Sequence, residues 1–332
     1  MQIGVIGLGR IGQYHARILG DHPDVTALVV TDIDGARARQ VADELGAAPA
    51  ETVDDLLGRV DALFIASPTD THAALIHAGV DAGLPVFCEK PIALDLASTR
   101  EVVEHVQRAG ATVQIGFQRR FDAGYRAARR AVSEGGLGRV YVVRIAAHDP
   151  YPPHESYLPG SGGIFRDMHI HDFDIARWVL GQDIVEVFAE GAVLADPMFG
   201  RHGDVDTVAA TLVFDGGTLG VMTGARHDPL GCDVRLELFG SGDSVSVGWD
   251  GRTPLRSVEP GMPPAPEHPY ELFLDRFDAA YRRELAAFVD VARGLAPSPC
   301  SVEDAEIALK VALACDRSRL EHRPVRVEEV TV

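Results

Sequence analysis

Cysteine is scarce in this chain, and what there is follows no metal-binding pattern. The 332 residues contain four cysteines, Cys88, Cys232, Cys300 and Cys315, with no CxxC pair among them. That spacing argues against a zinc module or a disulfide framework and is expected of reduced thiols in a cytoplasmic protein. Positive charge is also short, with 31 Lys and Arg against 49 Asp and Glu for a net charge of −18. A surface of that sign repels phosphate backbones, so nucleic acid is not an expected partner. An anionic cofactor is still allowed, because backbone N–H groups and a helix N-terminus can hold its phosphates locally. No apolar run reaches the length of a membrane span. The opening MQIGVIGLGRIG has no basic segment before its short apolar run, so a secretory signal is not expected. Long repeats and low-complexity tracts are missing too, and the proline-rich stretch 253–269 reads as a loop within the second half. What remains is an ordinary globular composition, 46% hydrophobic and 24% charged, in a chain long enough for about two domains.

Apolar runs and helical periods alternate through the first half. Strands are expected at 2–6, 26–31, 62–66, 86–88 and 112–117. Helices are expected from the loop after the first strand to Leu19, over 36–45, through His72 to Ala82, and over 97–109. Strands alternating with helices of this length imply a parallel sheet with helices on both faces, an α/β domain over 1–120. After Phe121 the pattern changes. Strands at 140–147, 185–190, 208–214, 218–223 and 234–239 follow one another with few helices between, and helices at 281–293 and 302–320 close the chain. That predicts a second domain over 121–332 with a mostly antiparallel sheet.

The first strand runs into Gly7-Leu8-Gly9-Arg10-Ile11-Gly12, and a helix opens from it. A lone GxGxxG is weak, but here it follows a strand, opens a helix and is followed by an acid at the right distance. Gly7 permits the tight turn, Gly9 a close approach to a pyrophosphate, and Gly12 close packing of helix on strand. Asp32 ends the second strand, where its carboxylate accepts hydrogen bonds from ribose hydroxyls and repels a 2′-phosphate. The expected cofactor is therefore NAD, with Gly7, Gly9, Arg10, Ile11, Gly12 and Asp32 around it. Arg37 and Arg39 lie near enough in sequence to meet a 2′-phosphate, but inside the following helix. At the end of the third strand, Ser67, Pro68 and Thr69, with His72 opening the next helix, are expected to line the cofactor. Helix capping by Thr69 or Asp70 is the alternative.

Glu89-Lys90-Pro91 ends the fourth strand on the same side of the sheet, and Pro91 restricts Lys90 to extended conformations that aim its ammonium at the cleft. A surface lysine is the plain alternative. Farther on, the helical period from Asp167 to Leu180 places Asp167 and His171 at i and i+4, on one face. A carboxylate one turn before an imidazole can orient it and support its cation, which makes His171 a candidate general base. Asp167 as a helix cap is the competing possibility. A metal site built on His169 and His171 is disfavoured, because HxH on a helix sends the rings to different sides; no metal is expected.

Together GLGRIG, CEKP and GGIFRDMHIHDFD resemble the Gfo/Idh/MocA oxidoreductases, in family order and over nearly the whole chain. The run SGGIFRDMHIHDFDIARWVLG is especially similar to inositol dehydrogenases. The resemblance implies a Rossmann NAD-binding domain, then an α+β domain with a large open sheet for substrate and subunit contacts, in a homodimer or homotetramer. It implies Lys90, Asp167 and His171 as a catalytic trio, with Glu89 and Lys90 also at the cofactor. The implied reaction is oxidation of a cyclic polyol, myo-inositol to 2-keto-myo-inositol, the small-molecule substrate being the partner. Arg119, His154, Tyr157 and Tyr281 join Lys90, Asp167 and His171 as candidate substrate contacts. The alternatives are a dehydrogenase of another sugar or cyclitol, such as scyllo-inositol or a glucose derivative, and a non-catalytic NAD-dependent sensor.

Overall fold

The computed structural model describes residues 1–332, in two compact units. The first comprises Met1–Gln118 and Tyr281–Ile307, the second Arg119–Ala280 and Ala308–Val332. A simple division at 120/121 differs from this in the late helical segment. Tyr281–Ile307 belongs with the first unit because Phe288 packs edge-on against Phe64 and Phe87, at 6.2 and 5.5 Å between ring centroids.

In the first unit, strands β1 (Gln2–Ile6), β2 (Ala27–Thr31), β3 (Ala48–Pro49), β4 (Ala62–Ile65), β5 (Val86–Glu89) and β6 (Val113–Gly116) alternate with helices α1 (Arg10–Gly20), α2 (Gly35–Leu45), α3 (Val53–Leu57), α4 (His72–Asp81) and α5 (Leu96–Ala109). The strands pair in parallel in the order β3-β2-β1-β4-β5-β6. β4 is buried at every residue, as a strand covered on both faces must be. Local chemistry fixes the helix ends. Asp34 accepts the Ala36 and Arg37 N–H groups at the start of α2, and Gly46 closes it at φ 63°. Asp95 caps α5 through Ser98, and Gly110 ends it at φ 59°. β3 and α3 are absent from the periodicity, being too short to show a period; Thr52 caps α3 through the Asp55 N–H.

The sheet order reverses between β1 and β4, and ligands in open α/β sheets bind outside the strand ends at such a point. The loops after these two strands touch there. Gly7 has φ +89°, and a Cβ on it would lie 2.5 Å from the Ser67 backbone.

In the second unit, strands β7 (Val140–His148), β8 (Ile184–Ala192), β9 (Thr207–Phe214), β10 (Leu219–Ala225), β11 (Asp233–Gly240), β12 (Ser244–Val247) and β13 (Val325–Arg326) form one seven-stranded sheet in the order β12-β11-β7-β10-β9-β8-β13. Every pairing is antiparallel except β7 with β10. The short edge strands β12 and β13 carry too few residues to show an alternation. Helices α6 (Ala123–Ser133), α7 (Leu158–Ser161), α8 (Ile170–Leu180) and α9 (Met198–Arg201) lie between strands, and α10 (Phe273–Ala292) and α11 (Val302–Glu321) follow. α10 starts eight residues before the expected 281, its first two turns falling in the second unit. The helix expected from Asp167 is two pieces: a π-helical turn over Phe165–His169 leads into α8, which ends at Gly181 with φ 63°. No helix is long and apolar enough to cross a membrane.

Candidate functional site

The glycine loop is shaped by backbone contacts. A Cβ on Gly12 would meet the Gly7 carbonyl oxygen at 1.9 Å, so only glycine lets α1 begin this close to β1. Gly9 differs: a Cβ there would meet nothing within 4 Å. That open space beside bare backbone, next to the first N–H groups of α1, fits a pyrophosphate. Asp32 Oδ2 accepts the Leu8 N–H at 2.6 Å and Oδ1 accepts the Asp34 N–H at 2.8 Å. The carboxylate therefore also ties the glycine loop to the end of β2, which the spacing does not reveal. Arg37 stands 3.5 Å from Asp32 and 3.4 Å from Asp34, so its charge is already shared by two acids.

The loops after β4 and β5 are joined by His72, which is 1% exposed. Its Nδ1 lies 2.7 Å from the Pro91 carbonyl oxygen and its Nε2 2.8 Å from that of Ser67. Burial pushes its pKa down, against the pull of those two carbonyls. Thr69 and Asp70 sit in a short 3₁₀ turn, and α4 starts with no side-chain cap. The turn closes instead through the Thr71 hydroxyl, 2.7 Å from the Pro68 carbonyl and 2.6 Å from the Ser67 hydroxyl. Lys90 follows β5 directly and its bond to Pro91 is cis. The chain has one other lysine, Lys310, so a lysine at this strand end is not drawn from a lysine-rich surface.

Glu89 has a partner that sequence reasoning missed. His15, fully buried on α1, places Nε2 2.8 Å from Glu89 Oε1. The available signal was a polar residue on the face of α1 that also buries Gly12, Ala16 and Leu19. Tyr281, expected at the substrate, is 4% exposed and packs its ring on Tyr14 and His15 at 5.6 and 5.3 Å. One turn along α10, Glu284 is fully buried with no hydrogen bond to either carboxyl oxygen. Burial, aided by the Glu89 charge, pushes its carboxyl well above the usual range.

In the second unit Asp167 lies in the π turn and His171 in the first turn of α8, which follows it directly. Asp167 is 9% exposed; Oδ1 accepts the Tyr157 hydroxyl at 2.8 Å and Oδ2 accepts Arg226 Nη2 at 2.7 Å. Neither the turn, which starts from Ile164, nor α8, which starts from His169, has a side-chain cap. His169 is fully buried, with Nδ1 2.8 Å from Asp172 Oδ2. Asp172 also takes Arg119, which is 5% exposed and has its guanidinium over the Phe277 ring. Arg119, expected at the substrate, is thus a buried counter-charge in the second unit. Arg120 and Asp174 form a second buried pair, Nε to Oδ2 at 2.9 Å. His154 Nδ1 contacts the Ser156 hydroxyl at 2.8 Å, while neighbouring Glu155 is held by Arg201 at 2.9 Å. His148, Asp228 and Asp233 cluster within 4.8 Å, but Asp233 is already held by Arg235 at 2.7 and 2.9 Å.

Comparison with known proteins agrees with this layout. Residues 1–117 match the Gfo/Idh/MocA oxidoreductase family, NAD-binding Rossmann fold, and residues 125–246 match the Gfo/Idh/MocA C-terminal domain. The chain is 38% identical to the myo-inositol 2-dehydrogenase of Thermotoga maritima, over 99% of each chain. The crystal structure of a myo-inositol dehydrogenase from Corynebacterium glutamicum superposes with a TM-score of 0.88 at 37% identity, over 98% of each chain. A scyllo-inositol dehydrogenase from Lactobacillus casei, solved with NAD(H) and scyllo-inositol, gives 0.90 at 29% identity over 99% of each. The chain belongs to the Gfo/Idh/MocA oxidoreductases, and its first unit is that family's NAD-binding Rossmann fold.

Proposed function

We propose that this enzyme oxidises a ring hydroxyl of a cyclic polyol to a ketone with NAD, converting myo-inositol to 2-keto-myo-inositol. The observation that carries this is the end-to-end likeness to a myo-inositol 2-dehydrogenase. NAD, when bound, supplies the hydride acceptor. The open backbone at Gly9, the N-terminus of α1 and Asp32 would hold it, with Ser67, Pro68, Thr69 and Glu89 beside it. His171 takes the hydroxyl proton as general base. Asp167 orients that imidazole and supports its positive charge. Lys90 donates a hydrogen bond to the reacting oxygen and stabilises its alkoxide character. With Arg119 and Tyr281 buried, hydroxyl recognition falls to Lys90, His171, His154 and Tyr157.

His171→Ala and Lys90→Ala should each lower kcat by about 10²–10⁴-fold while NAD still binds. NADH absorbance with myo-inositol reads the rate, and a near-normal rate in either variant would end the assignment. Scyllo-inositol is the second candidate substrate, since a structural relative carries it; a polyol panel separates the two. No NAD reduction with any polyol would instead favour a sensor.

Self-association is part of the same proposal. One face of the large sheet leaves Leu219 and Val221 of β10 exposed, with Phe188 of β8 in register through Thr211 of β9. A patch of that kind suits a second copy of the chain, and sedimentation measures whether one binds.

A further inference from the structure

We infer that Arg226 is a positioning residue for the oxidation, acting through Asp167 to set the charge that His171 feels. The inference rests on the roles proposed above for Asp167 and His171.

Arg226 follows β10, and its place is fixed by backbone rather than by its own side chain. β10 runs parallel to β7 with Ala225 opposite His148. The Asp149 N–H then donates to the Ala225 carbonyl at 2.8 Å, and the Arg226 N–H to the Asp206 carbonyl at 2.8 Å. Asp206 is itself locked, its carboxylate accepting the N–H groups of Leu194, Ala195 and Asp196. The guanidinium, 4% exposed, reaches Asp167 Oδ2 at 2.7 Å with one nitrogen and Asp149 Oδ2 at 3.3 Å with another. Burial opposes this cation, but the two carboxylates outweigh it and hold its pKa above the usual value.

The two oxygens of Asp167 are therefore gripped by different donors, Arg226 on Oδ2 and the Tyr157 hydroxyl on Oδ1. An aspartate in this vice cannot rotate freely, and half of its charge faces a buried cation. Without Arg226 that charge would bear on His171 uncompensated and favour the imidazolium. A base already protonated accepts no proton from a substrate. Arg226 so keeps His171 neutral to lower pH while leaving it an oriented partner. Asp149 works the other way: burial, and then the charge of Asp167, raise its pKa, so it balances Arg226 only in part. Of the other charged groups on this element, His169 and Asp172 form their own buried set with Arg119, Arg166 stands 3.4 Å from Asp316, and Asp174 is held by Arg120.

The test uses the full-length enzyme with NAD and myo-inositol and follows kcat/KM against pH. Arg226→Gln should move the acid limb up by about one pH unit and lower kcat roughly tenfold, with KM for NAD unchanged. Arg226→Lys, which keeps the charge but not the fork, should return the limb to the wild-type pH and recover only part of kcat. Tyr157→Phe, which removes the other donor, should shift the limb in the same direction by less, and it serves as the test if Arg226→Gln does not fold. A folded Arg226→Gln, or failing that Tyr157→Phe, with an unmoved acid limb overturns the inference, whatever its melting temperature. His171→Ala run alongside separates the two ideas. If it stays active, the proposed mechanism itself fails; if it is inactive while the limb of Arg226→Gln stays put, only the role of Arg226 fails.

Discussion

The glycine loop after β1 and the Asp167 turn before α8 are built from different materials. The loop is backbone: positive φ at Gly7, a 1.9 Å approach at Gly12, open space at Gly9. The turn is side chain: Asp167, Asp172 and Asp174 are each buried against an arginine from elsewhere in the chain. Backbone sites fail by steric clash, whereas networks of this kind fail when a charge loses its partner.

The contrast breaks most sharply at Asp172. Replacing it with Ala strands Arg119 in the interior and removes the partner of His169. The expected loss is about 3–5 kcal/mol in urea unfolding. A loss below about 1 kcal/mol would mean that the buried pairs are not what holds this turn.

In the glycine loop two substitutions of equal size should part company. Gly7→Ala forces a methyl group at φ +89° against the Ser67 backbone, which should lower stability by about 1–3 kcal/mol and weaken NAD binding as well. Gly9→Ala meets no protein atom within 4 Å, so stability should hold within about 0.5 kcal/mol while affinity for NAD drops. Calorimetry with NAD separates the two losses. Equal affinity for NAD in Gly9→Ala and wild type would show that the open space is not the phosphate cradle.

A smaller effect sharpens the comparison at Glu284, a fully buried acid in the first unit with no hydrogen bond to either carboxyl oxygen. Its folded pKa lies above its unfolded one, so the folded state keeps a proton that the unfolded chain has lost. Its contribution to stability is therefore fully present below the unfolded pKa and declines as pH rises toward the folded value. Glu284→Gln cannot titrate. Its stability should gain on wild type as pH rises from 5 to 8, by at most about 1.4 kcal/mol per pH unit. Parallel pH–stability curves would show that Glu284 is not held neutral beside Glu89.

The legibility of the fold follows the same division. Elements of the first unit that were long enough to carry a period, such as α1, α2 and α5, lie within a residue or two of where apolar spacing puts them. β3, α3, β12 and β13 were invisible because a stretch of two to five residues shows no period. Lys90, Asp167 and His171 were legible as motif residues. Their supporting partners were not: Arg226 lies 59 residues from Asp167, and Arg119 lies 53 from Asp172. Nothing local marks either arginine as buried, since a buried and a surface arginine read alike until the chain has folded.

The sequence by itself determined the NAD-binding half, because glycines at Gly7 and Gly12 meet steric requirements no other residue can, while Gly9 leaves open backbone and Asp32 puts an acid at the next strand end. It also determined which side chains are available for the chemistry. Tertiary structure decided which of them are used up in the interior, Arg119 on Asp172 and Tyr281 on His15. It also decided that Asp167 is held by Arg226 and Tyr157. The physical reason is burial: an ion pair inside a protein is set by strands and helices that meet only in the fold, and a low-dielectric interior makes that pairing matter far more than it would in water.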